Sequence, residues 1–153
     1  MSYTLWSHGR LLGSTNLEFI YRENGHRTGW FRPEPGVQDI LDVATGVSPA
    51  LFAASHAENP AEAYADVEAA GDRERALELQ LRDADGKEIA TEDIGVRDTV
   101  FLMSAYGGDA GEQNADRDAW YDSLSEEERA EFGDVSEQRY QIQVTLVDHF
   151  AIP

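Results

Sequence analysis

The chain contains no cysteine. That excludes disulfides, a thiolate nucleophile and any zinc site built on Cys ligands. No apolar run approaches the ~20 residues needed to span a bilayer. The N-terminal stretch lacks a basic patch followed by an apolar core, so no signal peptide is expected. Nucleotide fingerprints are missing as well: Gly9-x-x-x-Gly13-Ser14 has neither the lysine nor the spacing of a phosphate loop, and no Gly-rich dinucleotide motif occurs. Positive charge is scarce. Twelve basic residues, all arginine except Lys87, face 30 acidic ones, giving a net charge of −18. A body of that charge repels nucleic acid and anionic membranes, so neither is expected as a partner. Together these features predict a soluble cytoplasmic protein of prokaryotic type.

At 153 residues the natural count is one domain, 1–153, large enough to bury about two-thirds of its unfolded surface. Charge within it is uneven. Residues 1–33 hold Arg10, Arg22, Arg27 and Arg32 against Glu18 and Glu23, a net of +2. The other 120 residues hold 8 basic and 28 acidic side chains, a net of −20. The same 33 residues carry six of the 15 aromatics: Tyr3, Trp6, Phe19, Tyr21, Trp30 and Phe31. An arginine-and-aromatic head thus precedes an acidic body.

The head reads as sheet. Tyr3 to Ser7 is β-prone, and His8-Gly9-Arg10 turns it into Leu11-Leu12. Asn24-Gly25 is the strongest hairpin signal in the chain. A two-residue turn there sets Arg22 opposite Arg27, Tyr21 opposite Thr28 and Phe19 opposite Trp30. Leu17, Phe19, Tyr21 and Trp30 then form the expected core face, with Ile20 and Phe31 on the other. Pro33 and Pro35 end the sheet. From Val37 to about Ala70 the period becomes helical. Gly46 interrupts it, Ser48-Pro49 and Asn59-Pro60 read as N-caps followed by N1 prolines, and Gly71 reads as a stop. Sheet returns at Ala76, where Leu77, Leu79 and Leu81 alternate with polar residues, and Asp85-Gly86 marks a hairpin. Val100 to Met103 is a short apolar run expected to form a buried strand within Asp98–Ser104. A polar loop follows, then a short helix over about 126–132 opened by the capping box Ser125–Glu128. Tyr140, Ile142, Val144 and Leu146 alternate cleanly with polar residues, the mark of an antiparallel strand. The class is therefore α+β: a mostly antiparallel sheet built from hairpins, with a helical insert at about 37–70 and a short helix at about 126–132.

Candidate chemistry is sparse. Facing arginines on a hairpin repel unless an anion lies between them. Arg22 and Arg27, with His26 and Arg10 near, therefore make an anion site, or the chain's own carboxylates answer them. Asn114-x-Asp116-x-Asp118 offers alternate oxygen ligands, as a calcium or magnesium loop does. It departs from that pattern at Ala119, where the loop needs glycine, and at Ser125, where it needs glutamate. Gly46-Val-Ser48-Pro-Ala50 falls one glycine short of a nucleophile elbow and is explained fully by helix capping. The four histidines fall in separate segments without metal-ligand spacing. Trp6, Trp30 and Phe31 alternate with Arg10, Arg27 and Arg32 in a manner suited to stacking bases, which the −20 body opposes.

The reading that follows is a small non-enzymatic module for protein–protein interaction or self-association, binding without a cofactor through Arg22, Arg27, Arg32, Trp30 and Phe31. The partner is another protein or a second copy, whose acidic body would meet the basic head. A divalent-metal protein or enzyme built on the acidic 109–126 loop is the alternative. An acidic nucleic-acid mimic is the second alternative, against which stands the scattering of the acids through amphipathic segments.

Overall fold

The computed structural model describes residues 2–21, 25–98, 125–127 and 139–153. Four strands come first: β1 (Tyr3–Ser7), β2 (Arg10–Thr15), β3 (Phe19–Tyr21) and β4 (His26–Pro33). Three helices follow, α1 (Gln38–Ala44), α2 (Val47–Ser55) and α3 (Pro60–Arg75). Strands β5 (Leu79–Arg82), β6 (Glu88–Ile89), β7 (Thr91–Asp98) and β8 (Tyr140–Leu146) complete the described elements. All strand pairings are antiparallel, in the order β6-β5-β1-β2-β4-β8-β7, with β3 added beside β4. The strands at the two ends of that order, β6 and β7, are separated in sequence by Ala90 alone. The chain itself therefore bridges the seam, and the Ala90 carbonyl accepts a hydrogen bond from Val147 N–H at 3.2 Å. The result is a nearly closed antiparallel barrel with a helical insert, the α+β class expected from the sequence.

β8 shows how side-chain period sets the interior. Tyr140, Ile142, Val144 and Leu146 are buried, and the residues between them are half-exposed. Directly opposed residues of an antiparallel pair share a face. Tyr140 opposes Phe31 and Asp98, and Ile142 opposes Gly29 and Val96. The inward face of β8 thereby fixes the inward faces of β4 and β7. Leu5, Leu12 and Leu81 join this cluster, and α1 adds Val37, Leu41 and Ala44. Phe31 and Ile142 are fully enclosed. Each such side chain contributes about 1.5–3 kcal/mol through removal from water.

The β3–β4 hairpin corrects two expectations. Tyr21 pairs with His26, Ile20 with Arg27 and Phe19 with Thr28. The connection thus spans 22–25 and the register is two residues off the two-residue turn. A shift of two keeps the faces, so Phe19 and Trp30 do share one, but it is the outer one. Phe19 is 43% exposed, Trp30 is half-buried, and Phe31 lies in the core. The rings of Phe19 and Trp30 still meet edge to face, centroids 6.5 Å apart. They do so diagonally, across the surface of the sheet.

Between β2 and β3 the chain kinks at Leu17, whose φ is +48°. Thr15 Oγ1 accepts from Leu17 N–H at 3.1 Å, and the Glu18 carboxylate accepts from Trp30 N–H at 3.0 Å. Glu18 thus supplies the acceptor that an unbroken strand would have given β4. The kink folds directly onto Gly29. A Cβ there would sit 2.5 Å from Glu18 Oε2, 2.7 Å from Leu17 Cα and 2.7 Å from Thr15 Oγ1. Only glycine fits.

The helices differ from expectation at their ends. α2 starts at Val47 behind Gly46, so Ser48 lies inside the first turn and does not cap it. α3 begins as expected behind Asn59, with Pro60 in its first turn, although the Asn59 side chain makes no capping bond. It runs through Gly71 to Arg75, ending with Arg73 and Arg75 where cations complement the helix dipole. The Asp85-Gly86 hairpin forms: Asp83 Oδ1 accepts from Asp85 and Lys87 N–H, both at 2.9 Å, and Gly86 has φ +80°. Of the strand expected at Asp98–Ser104, Asp98 is described and is the last residue of β7; residues 99–104 lie outside the described set. Of the helix expected at 126–132, Glu126 and Glu127 are described and helical.

Candidate functional site

The expected binding residues separate into three groups. Arg32 is exposed and Trp30 half-buried, both on the outer face of β4. Phe31 and Arg27 point inward and are withdrawn from any partner, at 0% and 4% exposure. Arg22 lies outside the described residues. The facing Arg22–Arg27 pair is replaced by Ile20 opposite Arg27, a consequence of the two-residue register shift. Arg27 donates through Nη2 to the Ile152 carbonyl at 2.9 Å, while its Nε and Nη1 have no hydrogen-bond partner among the described residues. It is a buried cation held by the C-terminal tail.

Other constellations do not assemble. Trp6 stacks against Arg82, 4.4 Å from the guanidinium carbon to the ring centre, on a different part of the sheet from Trp30. Arg10 bonds to the Gly36 carbonyl at 2.6 Å and faces Asp39 at 3.4 Å. The base-stacking set of Trp6, Trp30, Phe31, Arg10, Arg27 and Arg32 is therefore dispersed. Three histidines sit on separate elements, His8 bonding Ala76 O, His26 facing Thr145 and His56 on its own helix turn, while His149 lies against Gly25, next to His26. Asn114, Asp116 and Asp118 lie outside the described residues, as does most of the 109–126 loop. Among the described residues no cluster of His, Asp or Glu could hold a metal ion. Nor is any described helix long and apolar enough to cross a membrane.

The outer face of β3, β4 and β8 is notable for what it carries. Phe19, Trp30 and Arg32 lie beside Gln141, Gln143 and Thr145, with Gln141 opposite Trp30 and Gln143 opposite Thr28. Glu18 on this face is engaged by Trp30 N–H, and across the β8–β7 pairing Asp93 stands opposite Thr145. Neither β3 nor β4 itself contains an acidic residue. Among the described residues β3 pairs only with β4, leaving its other edge open.

A second site lies between α3 and β7. A cavity of about 410 Å³ opens there, with Val47, Leu79 and Ile94 as apolar lining and Glu74, Arg75, Thr91, Glu92, Asp93 and Arg97 as polar lining. The Glu74 side chain is 16% exposed and stands 3.9 Å from Arg97, itself 27% exposed. That separation is too long for a hydrogen bond. Burial pushes the Glu74 carboxyl above its usual range, Arg97 pulls it down, Asp93 adds to the rise and Arg75 opposes it. Gly95 lies beneath both charged groups: a Cβ would meet Glu74 Oε1 at 3.2 Å and an Arg97 guanidinium nitrogen at 3.3 Å. The sequence gives little sign of this site. Glu74 is one acid among 30, and only the glycine in the middle of β7 is out of place for a strand.

No known family, no curated protein and no solved structure matches the chain.

Proposed function

We propose that the protein is a non-enzymatic self-association module that joins two copies through the outer face and open edge of β3. The observation that carries this reading is the acid-free pair of strands β3 and β4, which presents Phe19, Trp30 and Arg32 beside an edge unpaired among the described residues, on a chain of net charge −18. Two such bodies repel strongly, and they can approach most closely where neither presents carboxylates. A two-fold axis through β3 would lay one copy's edge antiparallel to the other's and bring the aromatic pairs together. The cytoplasm is the compartment we assign, a reading supported by the cysteine-free sequence.

Light scattering tests it at low and high salt. The contact is apolar and backbone-mediated, and the repulsion is monopolar. Screening should therefore strengthen association, the Debye length falling from about 30 Å at ~0.01 M to about 3 Å at ~1 M. Arg32→Glu and Phe19→Asp, which place acid on the face, should abolish it. A strict monomer at both salts removes the reading.

A further inference from the structure

Glu74 and Arg97 form an unusual pair. Each is largely withdrawn from solvent, yet they are separated by 3.9 Å without a hydrogen bond. A half-buried carboxylate and guanidinium normally close onto one another, because unsatisfied charge in a low dielectric is costly. These two hold apart over a strand glycine whose missing Cβ gives them room. Glycine in a strand interior weakens the strand and marks close approach by another group. The opposite wall carries Gly71 inside α3, where glycine costs about 1 kcal/mol relative to alanine. Both walls thus give up local stability next to a loose ion pair whose carboxylate and guanidinium are not hydrogen-bonded to each other.

We propose that the α3–β7 cleft binds a small zwitterion, an α-amino acid with an apolar side chain. Its ammonium would be taken by Glu74 and its carboxylate by the Arg97 guanidinium, whose planar fork suits two carboxylate oxygens. Its side chain would lie on Val47, Leu79 and Ile94. The volume of about 410 Å³ accommodates the largest natural side chains. Asp93 adds negative potential on the ammonium side, as its effect on the Glu74 carboxyl indicates. Neither a simple amine nor a simple carboxylate satisfies both charged groups.

The test is a thermal-shift and calorimetric titration of the full chain with L-phenylalanine and L-leucine, run against phenethylamine and hydrocinnamate. The two amino acids should raise the melting temperature saturably, since a ligand for the native state must stabilise it. The amine and the acid should do so at least ~10-fold more weakly, each leaving one buried charge unmet. Arg97→Gln and Glu74→Gln should each lose the response, with circular dichroism verifying that they fold. Gly95→Ala, which fills the floor, should weaken binding and provides an independent variant if either charge substitution fails to fold. No response to either amino acid overturns the proposal. So does an equal response to phenethylamine, or unchanged binding in a folded Arg97→Gln.

Discussion

Replacing Arg27 by methionine should make the protein more stable. Arg27 is 4% exposed, and among the described residues one of its three guanidinium nitrogens is bonded, to the Ile152 carbonyl at 2.9 Å. Burying an ion carries an effective penalty of several kcal/mol, against which one hydrogen bond from a charged donor returns about 1.5–3 kcal/mol. Methionine has similar length and no charge, and it fills irregular space readily. Its cost is the stranded Ile152 carbonyl, about 1–3 kcal/mol if no water reaches it. The balance predicts a gain of about 1–3 kcal/mol, within the range seen when buried ions give way to apolar residues. In a domain of this size that raises the melting temperature by about 2–4 °C per kcal/mol. Urea unfolding followed by the fluorescence of the three tryptophans measures it. Arg27→Lys retains charge and should show no gain, which separates charge from packing. A loss greater than ~1 kcal/mol in Arg27→Met would falsify the argument, because it would mean that Nε and Nη1 are satisfied in solution.

Phe31→Ala should cost about 3–5 kcal/mol, as removal of a fully enclosed ring does, whereas Trp30→Ala, on the outer face, should cost far less; denaturant midpoints compare the two. Gly29→Ala should destabilise by about 1–3 kcal/mol through overpacking against Leu17, Thr15 and Glu18, and a neutral result would show that the kink is not seated on β4. Glu74 sets a pH dependence. Its folded pKa lies above the unfolded value near 4.5, so the native state holds the extra proton within that window. Stability relative to Glu74→Gln therefore falls as pH rises from the unfolded to the folded value and is level above both. Parallel melts across about pH 3–8 measure this, and a difference that does not change with pH refutes the assignment.

Much of the sheet was legible because single strands state their own period. β1 and β8 fall where their alternation places them. The hairpin between β3 and β4 was legible in its existence and illegible in its inward face. Phe19, Tyr21 and Trp30 on one face and Ile20 and Phe31 on the other are both apolar enough to be core. The choice is made by pairing with β8, more than a hundred residues away, whose Tyr140 and Ile142 oppose Phe31 and Gly29. β7 was missed over 92–97 because Glu92, Asp93 and Gly95 are poor strand formers; pairing along β8 overrides them. The Ser48 cap was misplaced because Gly46 already turns the chain, leaving Ser48 helical. Of the residues singled out by composition, Trp30 and Arg32 lie on the outer face, whereas Arg27 and Phe31 are buried, for the reason that misassigned the hairpin's inward face. The Glu74–Arg97 cleft depends on a helix crossing a distant strand, and no local pattern announces it.

Hydrogen exchange along β3 bears most directly on self-association through its open edge. Amide exchange of Phe19, Ile20 and Tyr21 should slow as protein concentration rises at high salt, while exchange in β1 and β5 stays constant, and Arg32→Glu should erase the effect. Exchange at β3 that is independent of concentration, or protection that appears elsewhere in its place, contradicts the account.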